Sequence, residues 1–214
     1  MGRKIIDLSL TFATGKRGVL FDPALTIAEN GFNTTNLHIY SHALTHMDAP
    51  RHFINDGWTI EAMDLEKCMG SALVIDLSHK GHNSRITVDD FAPYHDRIHE
   101  GARLLLRTDW DQYADEDIYR TDFPRISEEL AHWLVACGVW FIGVETPSVA
   151  SLSVDNRSEL TSVHQILLGA NITIVESLCN LRLLPEQVHL IALPLKLDGV
   201  DGSPVRAIAL IEED

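Results

Sequence analysis

A chain of 214 residues can bury one substantial core, and its 45% hydrophobic and 22% charged content is that of a folded globular protein rather than a disordered or fibrous one. A formal net charge of -14 argues against nucleic acid as a partner, since a polyanion meets repulsion instead of counterion release. No apolar run approaches the ~18 residues of a membrane helix, and the opening Met1 to Asp7 carries no signal-peptide or myristoylation pattern, so a soluble cytoplasmic protein is expected.

Up to Gly70 the chain is loop-rich, punctuated by Asp22-Pro23, Glu29-Asn30-Gly31 and Asn55-Asp56-Gly57. Short apolar, β-rich runs then predict buried strands over 72–77, 103–108, 139–144, 172–176 and 188–193. A last strand over 205–211 follows a loop marked by Pro194, Asp198-Gly199, Asp201-Gly202 and Pro204. Between them Ser127 is a cap candidate for an amphipathic helix that runs to Gly138, with Leu130, Trp133, Leu134 and Cys137 on one face. A second helix is predicted over 160–168 and ended by Gly169, with Val163, Ile166 and Leu167 inward and His164 beside that face. The acids Asp109, Asp111, Asp115, Glu116 and Asp117 lack calcium-loop spacing and read as a solvated face. Cys68, Cys137 and Cys179 are an odd set without Cys-x-x-Cys spacing, as in a reducing compartment. With no repeat or linker, a single domain over 1–214 is expected, an α/β fold with a mixed β-sheet core and flanking helices.

Chemistry concentrates in Ser41-His42-Ala43-Leu44-Thr45-His46-Met47-Asp48-Ala49-Pro50-Arg51-His52-Phe53. His42, His46, Asp48 and His52 all fall on even positions, and alternate residues of an extended chain project to one side. In a helix Asp48 would point away from the two histidines and Pro50 would break the ladder, so a strand followed by a loop is expected. Imidazoles beside a carboxylate suit Zn²⁺, Mn²⁺ or Fe²⁺, and a position left open to water makes such a site catalytic. With 11 histidines in the chain a chance pair would be unsurprising, but four aligned groups favour a metal.

This segment resembles the signature His-x-Gly-Thr-His-x-Asp-x-Pro-x-His of the metal-dependent cyclase-like hydrolases, which include bacterial kynurenine formamidase and isatin hydrolase. His42, Thr45, His46, Asp48, Pro50 and His52 match it, and Leu44 stands where the family has Gly. Gly143 to Val149 resembles a second family element with Glu145 in place of Asp. His164, Leu167, Gly169, Glu176, Leu178 and Asn180-Leu181 fit a third, and Leu193 to Lys196 with Gly202 to Ala207 fit the closing block. The resemblance implies a swivelling β/β/α cyclase-like fold. It implies His42, His46 and Asp48 as ligands of a first metal, and His164 and Glu176, with Asp48 bridging, as ligands of a second, so one or two Zn²⁺ or Mn²⁺ ions. It also implies a homodimer or homotetramer.

The expected activity is hydrolysis of an amide-type C–N bond in a small molecule by metal-activated water, with His52 as proton shuttle and ligand status as its alternative role. N-formylkynurenine, isatin-like lactams and other cyclic or acyl amides are candidate substrates. Phe21, Phe53, Trp58 and Trp110 are candidates for an aryl pocket. The alternatives are a lactone-type hydrolase or cyclase, and a catalytically silent metal-containing binding protein, for which Leu44 is the main support. The chain has no Gly-x-Ser-x-Gly elbow and no Gly-x-Gly-x-x-Gly, which speaks against a serine hydrolase or a dinucleotide-binding fold.

Overall fold

A computed structural model describes residues 2–212. In chain order its strands are β1 (Arg3–Asp7), β2 (Val19–Leu25), β3 (Thr34–Ile39), β4 (His46–Asp48), β5 (Met69–Asp76) and β6 (Arg85–Ile86). They continue as β7 (Arg103–Arg107), β8 (Arg125–Ile126), β9 (Phe141–Val144), β10 (Thr173–Glu176), β11 (Gln187–Pro194) and β12 (Gly202–Glu212). The helices are α1 (Ile27–Asn30), α2 (Ile118–Thr121), α3 (Glu128–Ala136) and α4 (Arg157–Gly169).

Eight strands form a mixed sheet in the order β1-β12-β11-β5-β7-β9-β10-β4, and β4 also pairs with β12. That second pairing closes seven strands into a barrel-like ring, while β1 lies along the outer half of β12. Strands β5, β7, β9 and β10 run parallel to one another, and β4, β11 and β12 join antiparallel.

The parallel strands are apolar at successive positions because both of their faces are covered. Leu104, Leu106, Ile142, Val144 and Ile174 point outward to Leu130, Leu134, Val163 and Leu167 of α3 and α4. Their neighbours Leu105, Phe141 and Val175 point inward, where Val74, Leu190, Ala192 and Ala207 fill the ring. A Cβ on Gly143 would stand 2.6 Å from Leu178 Cδ1 and 2.8 Å from Leu105 Cδ2, so a larger residue there would have to push both leucine side chains aside.

Helix α3 matches the expectation: Ser127 Oγ accepts from the Leu130 N–H at 3.1 Å, and the chain turns out through Gly138 at φ +70°. Helix α4 starts three residues earlier than the apolar pattern indicates, because a 3-10 turn over Val154–Asn156, capped by Ser153, feeds into it. Gly169 lies within its last turn; the chain reverses at Asn171, whose φ is +57°.

The stretch before Gly70 differs most from the sequence reading. It holds β1 and the hairpin β2–β3, paired from Val19↔Ile39 onward, while β4 is the strand expected in the histidine-rich segment. The hairpin is exposed along most of its length, so no apolar alternation marks it, and β4 is three residues long. Cys68, Cys137 and Cys179 are all free thiols.

Candidate metal centre

Strand β4 pairs with β10 in a register that sets His46 opposite Glu176 and Asp48 opposite Ile174. Alternation then sends Met47 into the ring and turns His46, Asp48 and Glu176 to the face that α4 covers. His164 reaches the same place from the buried side of α4.

The four groups converge closely. His46 Nε2 lies 3.5 Å from Asp48 Oδ1 and 3.4 Å from Glu176 Oε2, and His164 Nε2 lies 3.8 Å from Asp48 Oδ2 and 3.4 Å from Glu176 Oε1. Ligand atoms held ~2.0–2.1 Å from one cation at tetrahedral angles stand roughly 3.3 Å apart, so these spacings are those of donors around an ion. Both tautomers are fixed by the backbone: His46 Nδ1 donates to Leu44 O and His164 Nδ1 to Leu160 O, each at 2.7 Å, leaving the Nε2 lone pairs turned to the cluster. Asp48 Oδ2 is buried and is the one such side-chain atom, among the described residues, without a hydrogen-bond partner. A buried carboxylate oxygen left over in this way is the chemistry a cation satisfies.

His42 enters differently from the sequence reading. It is not on an extended run with His46; it sits in the turn before β4, and Leu44 inside that turn has φ +51°. Its Nδ1 meets Asp48 Oδ1 at 2.9 Å and its Nε2 meets Asp201 Oδ2 at 3.0 Å. The turn is pinned by Thr45, whose Oγ1 donates to Ser177 O at 2.6 Å and accepts from the Leu10 N–H at 2.8 Å. Parity therefore holds for His46 and Asp48 only, since His52 ends a 3-10 turn over Pro50–His52. The His52 ring stacks on His42 with centroids 3.8 Å apart, and its Nδ1 lies 3.4 Å from Asp201 Oδ2.

Three donor sets able to hold a metal ion result: His42, His46 and Asp48; Asp48, His164 and Glu176; and His42, His52 and Asp201. Asp48 is common to the first two. Electrostatically the cluster favours positive charge. Burial pulls His42 down, but its bonds to Asp48 and Asp201 outweigh that and raise it to about 9. Burial likewise works against the charge of Glu176, yet His164 and His46 hold it well below the usual carboxylate range. His52 is lowered, by burial first and by His42 and His164 against the opposing pull of Asp48.

Asp201 is the residue that sequence reasoning passed over, because Asp-Gly reads as turn punctuation. A Cβ on Gly202 would lie 2.7 Å from His42 Cε1, so the glycine lets the Asp201 turn close on the histidine. Glu145 sits apart from the cluster. It accepts the backbone N–H groups of Thr108 and Asp109 at 2.7 Å and of Leu181 at 3.2 Å, so it ties three segments together.

Leu44 keeps a backbone shape that glycine adopts freely and that costs another residue about 1–2 kcal/mol. Replacing it with glycine removes that strain and returns part of the gain as unfolded-state freedom. Urea melts of Leu44→Gly are expected to show about 0.5–1 kcal/mol more stability, with metal content unchanged.

A cavity of about 510 Å³ opens over the cluster, lined among others by His42, His46, His52, Phe53, His164 and Glu176. Of the four aromatic candidates Phe53 alone lines it, stacked on His164 at 4.2 Å. Trp110 is buried against Tyr119, Trp58 donates to Asn171 at 3.0 Å, and Phe21 lies on the hairpin.

A family model described as "Putative cyclase" matches residues 6–151. The chain belongs to this cyclase family. Among its relatives, a kynurenine formamidase from Bacillus mycoides (strain KBAB4) is 35% identical over 176 residues, which is 82% of this chain and 79% of that one. Isatin hydrolase A from Labrenzia aggregata, solved bound to benzyl benzoate, superposes with a TM-score of 0.90 at 25% identity, covering 99% of this chain and 94% of that one. A structure described as a potential metal-dependent hydrolase with cyclase activity matches with a TM-score of 0.80 at 26% identity over 100% of both chains. These cyclase-family neighbours share the mixed α/β architecture found here.

Proposed function

We propose that this cyclase-family chain is a metal-dependent hydrolase of amide-type C–N bonds in small molecules, an aryl formamide or a cyclic amide. The observation that carries the reading is the Asp48 carboxylate, which has one oxygen left without a partner and is shared by two donor sets whose other members, His42, His46, His164 and Glu176, line a cavity. His42, His46 and Asp48 would hold one divalent ion, Zn²⁺ or Mn²⁺, and Asp48, His164 and Glu176 a second. An ion there supplies a Lewis acid that makes water nucleophilic near neutral pH and draws charge from a carbonyl oxygen.

The chain's own groups supply the rest. Asp201 accepts a hydrogen bond from the Nε2–H of His42, which leaves the Nδ1 lone pair facing Asp48, and it stands beside His52 as well. His52, held by its stack on His42 at the cavity wall, is the group to receive a proton from water and deliver it to the departing nitrogen. Phe53 offers an aromatic surface to the acyl or aryl part of the substrate. A single domain working as a homodimer or homotetramer in the cytoplasm completes the proposal; among the described residues no helix is long and apolar enough to cross a membrane.

The test is metal analysis of the purified protein together with a screen of aryl formamides, lactams and lactones. Metal-dependent turnover of a formamide or lactam supports the proposal. Turnover of lactones alone replaces the amide with an ester, and inertness of the metal-loaded protein toward every compound overturns it.

A further inference from the structure

Three arginines from distant parts of the chain line the cavity above the cluster: Arg17 from the loop before β2, Arg120 from α2 and Arg157 from the first turn of α4. Several other arginines are matched to acids, as Arg85 and Arg125 are to Glu159, Arg107 to Asp76 and Arg206 to Asp7. Arg17, Arg120 and Arg157 have no carboxylate oxygen within 4.0 Å among the described residues. The adjoining cavity that Arg17 and Arg120 also line carries Asp115, taken by Lys16, and Glu116 and Asp117, none of them within 4.0 Å of either arginine. Glu176 is the sole acid of the site cavity's lining, and His46 and His164 hold both of its oxygens.

In a chain of net charge -14, three unmatched guanidinium groups around one cavity are a local reversal of sign. Arg120 is half-buried, and its charge is opposed by burial and by Arg17 beside it. Arg17 rests on the Tyr40 ring at 5.6 Å, which orients its planar fork at the cavity edge. Fork-shaped donors of this kind match the two oxygens of a carboxylate.

We propose that the substrate is an amide with net negative charge, whose remote carboxylate is bound by Arg17, Arg120 and Arg157 while its scissile carbonyl lies over His46, Asp48 and Glu176. This rests on the amide-hydrolase reading above and narrows it. The same cavity discriminates against an α-amino acid, because an ammonium group would enter among three cations and find no free acid in the lining of that cavity.

The test uses the metal-loaded full chain and three formanilides with the same ortho acyl side chain, ending in a carboxylate, an α-amino acid or a methyl ester. The carboxylate is expected to have a kcat/KM at least about tenfold above both others, the discrimination that one charge-assisted hydrogen bond supplies. In Arg120→Gln and in Arg17→Gln the ratio of kcat/KM for carboxylate over ester falls at least about tenfold, and Arg120→Lys restores part of it. Metal content measured on each variant separates a lost contact from a disturbed fold. A wild-type preference for the amino acid or the ester, or a ratio that stays within about twofold in both glutamine variants, overturns the assignment. Inertness toward all three formanilides counts against the formamide reading and not against the arginines, and calorimetry with the deformylated carboxylate then decides the arginines. Binding lost in both variants upholds them as an anion site, whereas equal binding, or none in the wild type, refutes it.

Discussion

His52→Gln is expected to cost about 10²–10⁴-fold in kcat while the protein keeps its metal, measured by elemental analysis beside steady-state kinetics. His52 lies at the cavity wall, stacked on His42, and reaches Asp201 through Nδ1, but belongs to neither of the two donor sets that share Asp48. A glutamine fills much of the same volume and can still meet Asp201, so the ions stay while the exchangeable ring proton is gone. Loss of metal in step with activity would make His52 a ligand, as the His42, His52 and Asp201 set allows. Unchanged kcat would leave the proton transfer to another group.

Asp48→Asn carries the largest effect, because one substitution removes the carboxylate that both donor sets use. Activity is expected to fall below detection and metal content to drop toward zero. A neutral amide does not replace a charged ligand, and its NH₂ would donate to the His42 Nδ1 lone pair and so occupy the donor that an ion needs. The thermal consequence is measurable. Free metal at about 100 times its Kd adds about 2.7 kcal/mol to the wild type, which for a chain of this size raises Tm by roughly 5–10 °C, and the same addition leaves Asp48→Asn unmoved. Chelator should lower the wild-type melt and spare the variant's. A variant that still binds metal stoichiometrically would place the ions elsewhere.

Much of the ring could be read from the chain because its strands are apolar on both faces, and 103–108 and 172–176 needed no partner to declare themselves. The cap at Ser127 and the exit at Gly138 were equally local signals. The pair His46 and Asp48 followed from alternation, while His42 did not: its approach depends on a left-handed Leu44, which no periodicity announces. His164 and Glu176 were placed by resemblance to the family, since a helix-edge histidine and a strand-end acid are ordinary by themselves. Asp201 and the three cavity arginines stayed hidden for a different reason. They lie far apart along the chain, each is unremarkable among its sequence neighbours, and only closure of the barrel brings them to one place.

That closure hangs on a short link. β4 joins β10 on one edge and β12 on the other through three residue pairs each, and its two outward side chains are His46 and Asp48. The proposed ligands are thus the clasp of a hoop: two ions sharing Asp48, one held also by His46 and the other by Glu176, would stitch β4 to β10 across one of its shortest joints, so releasing the ions and loosening the hoop become one event.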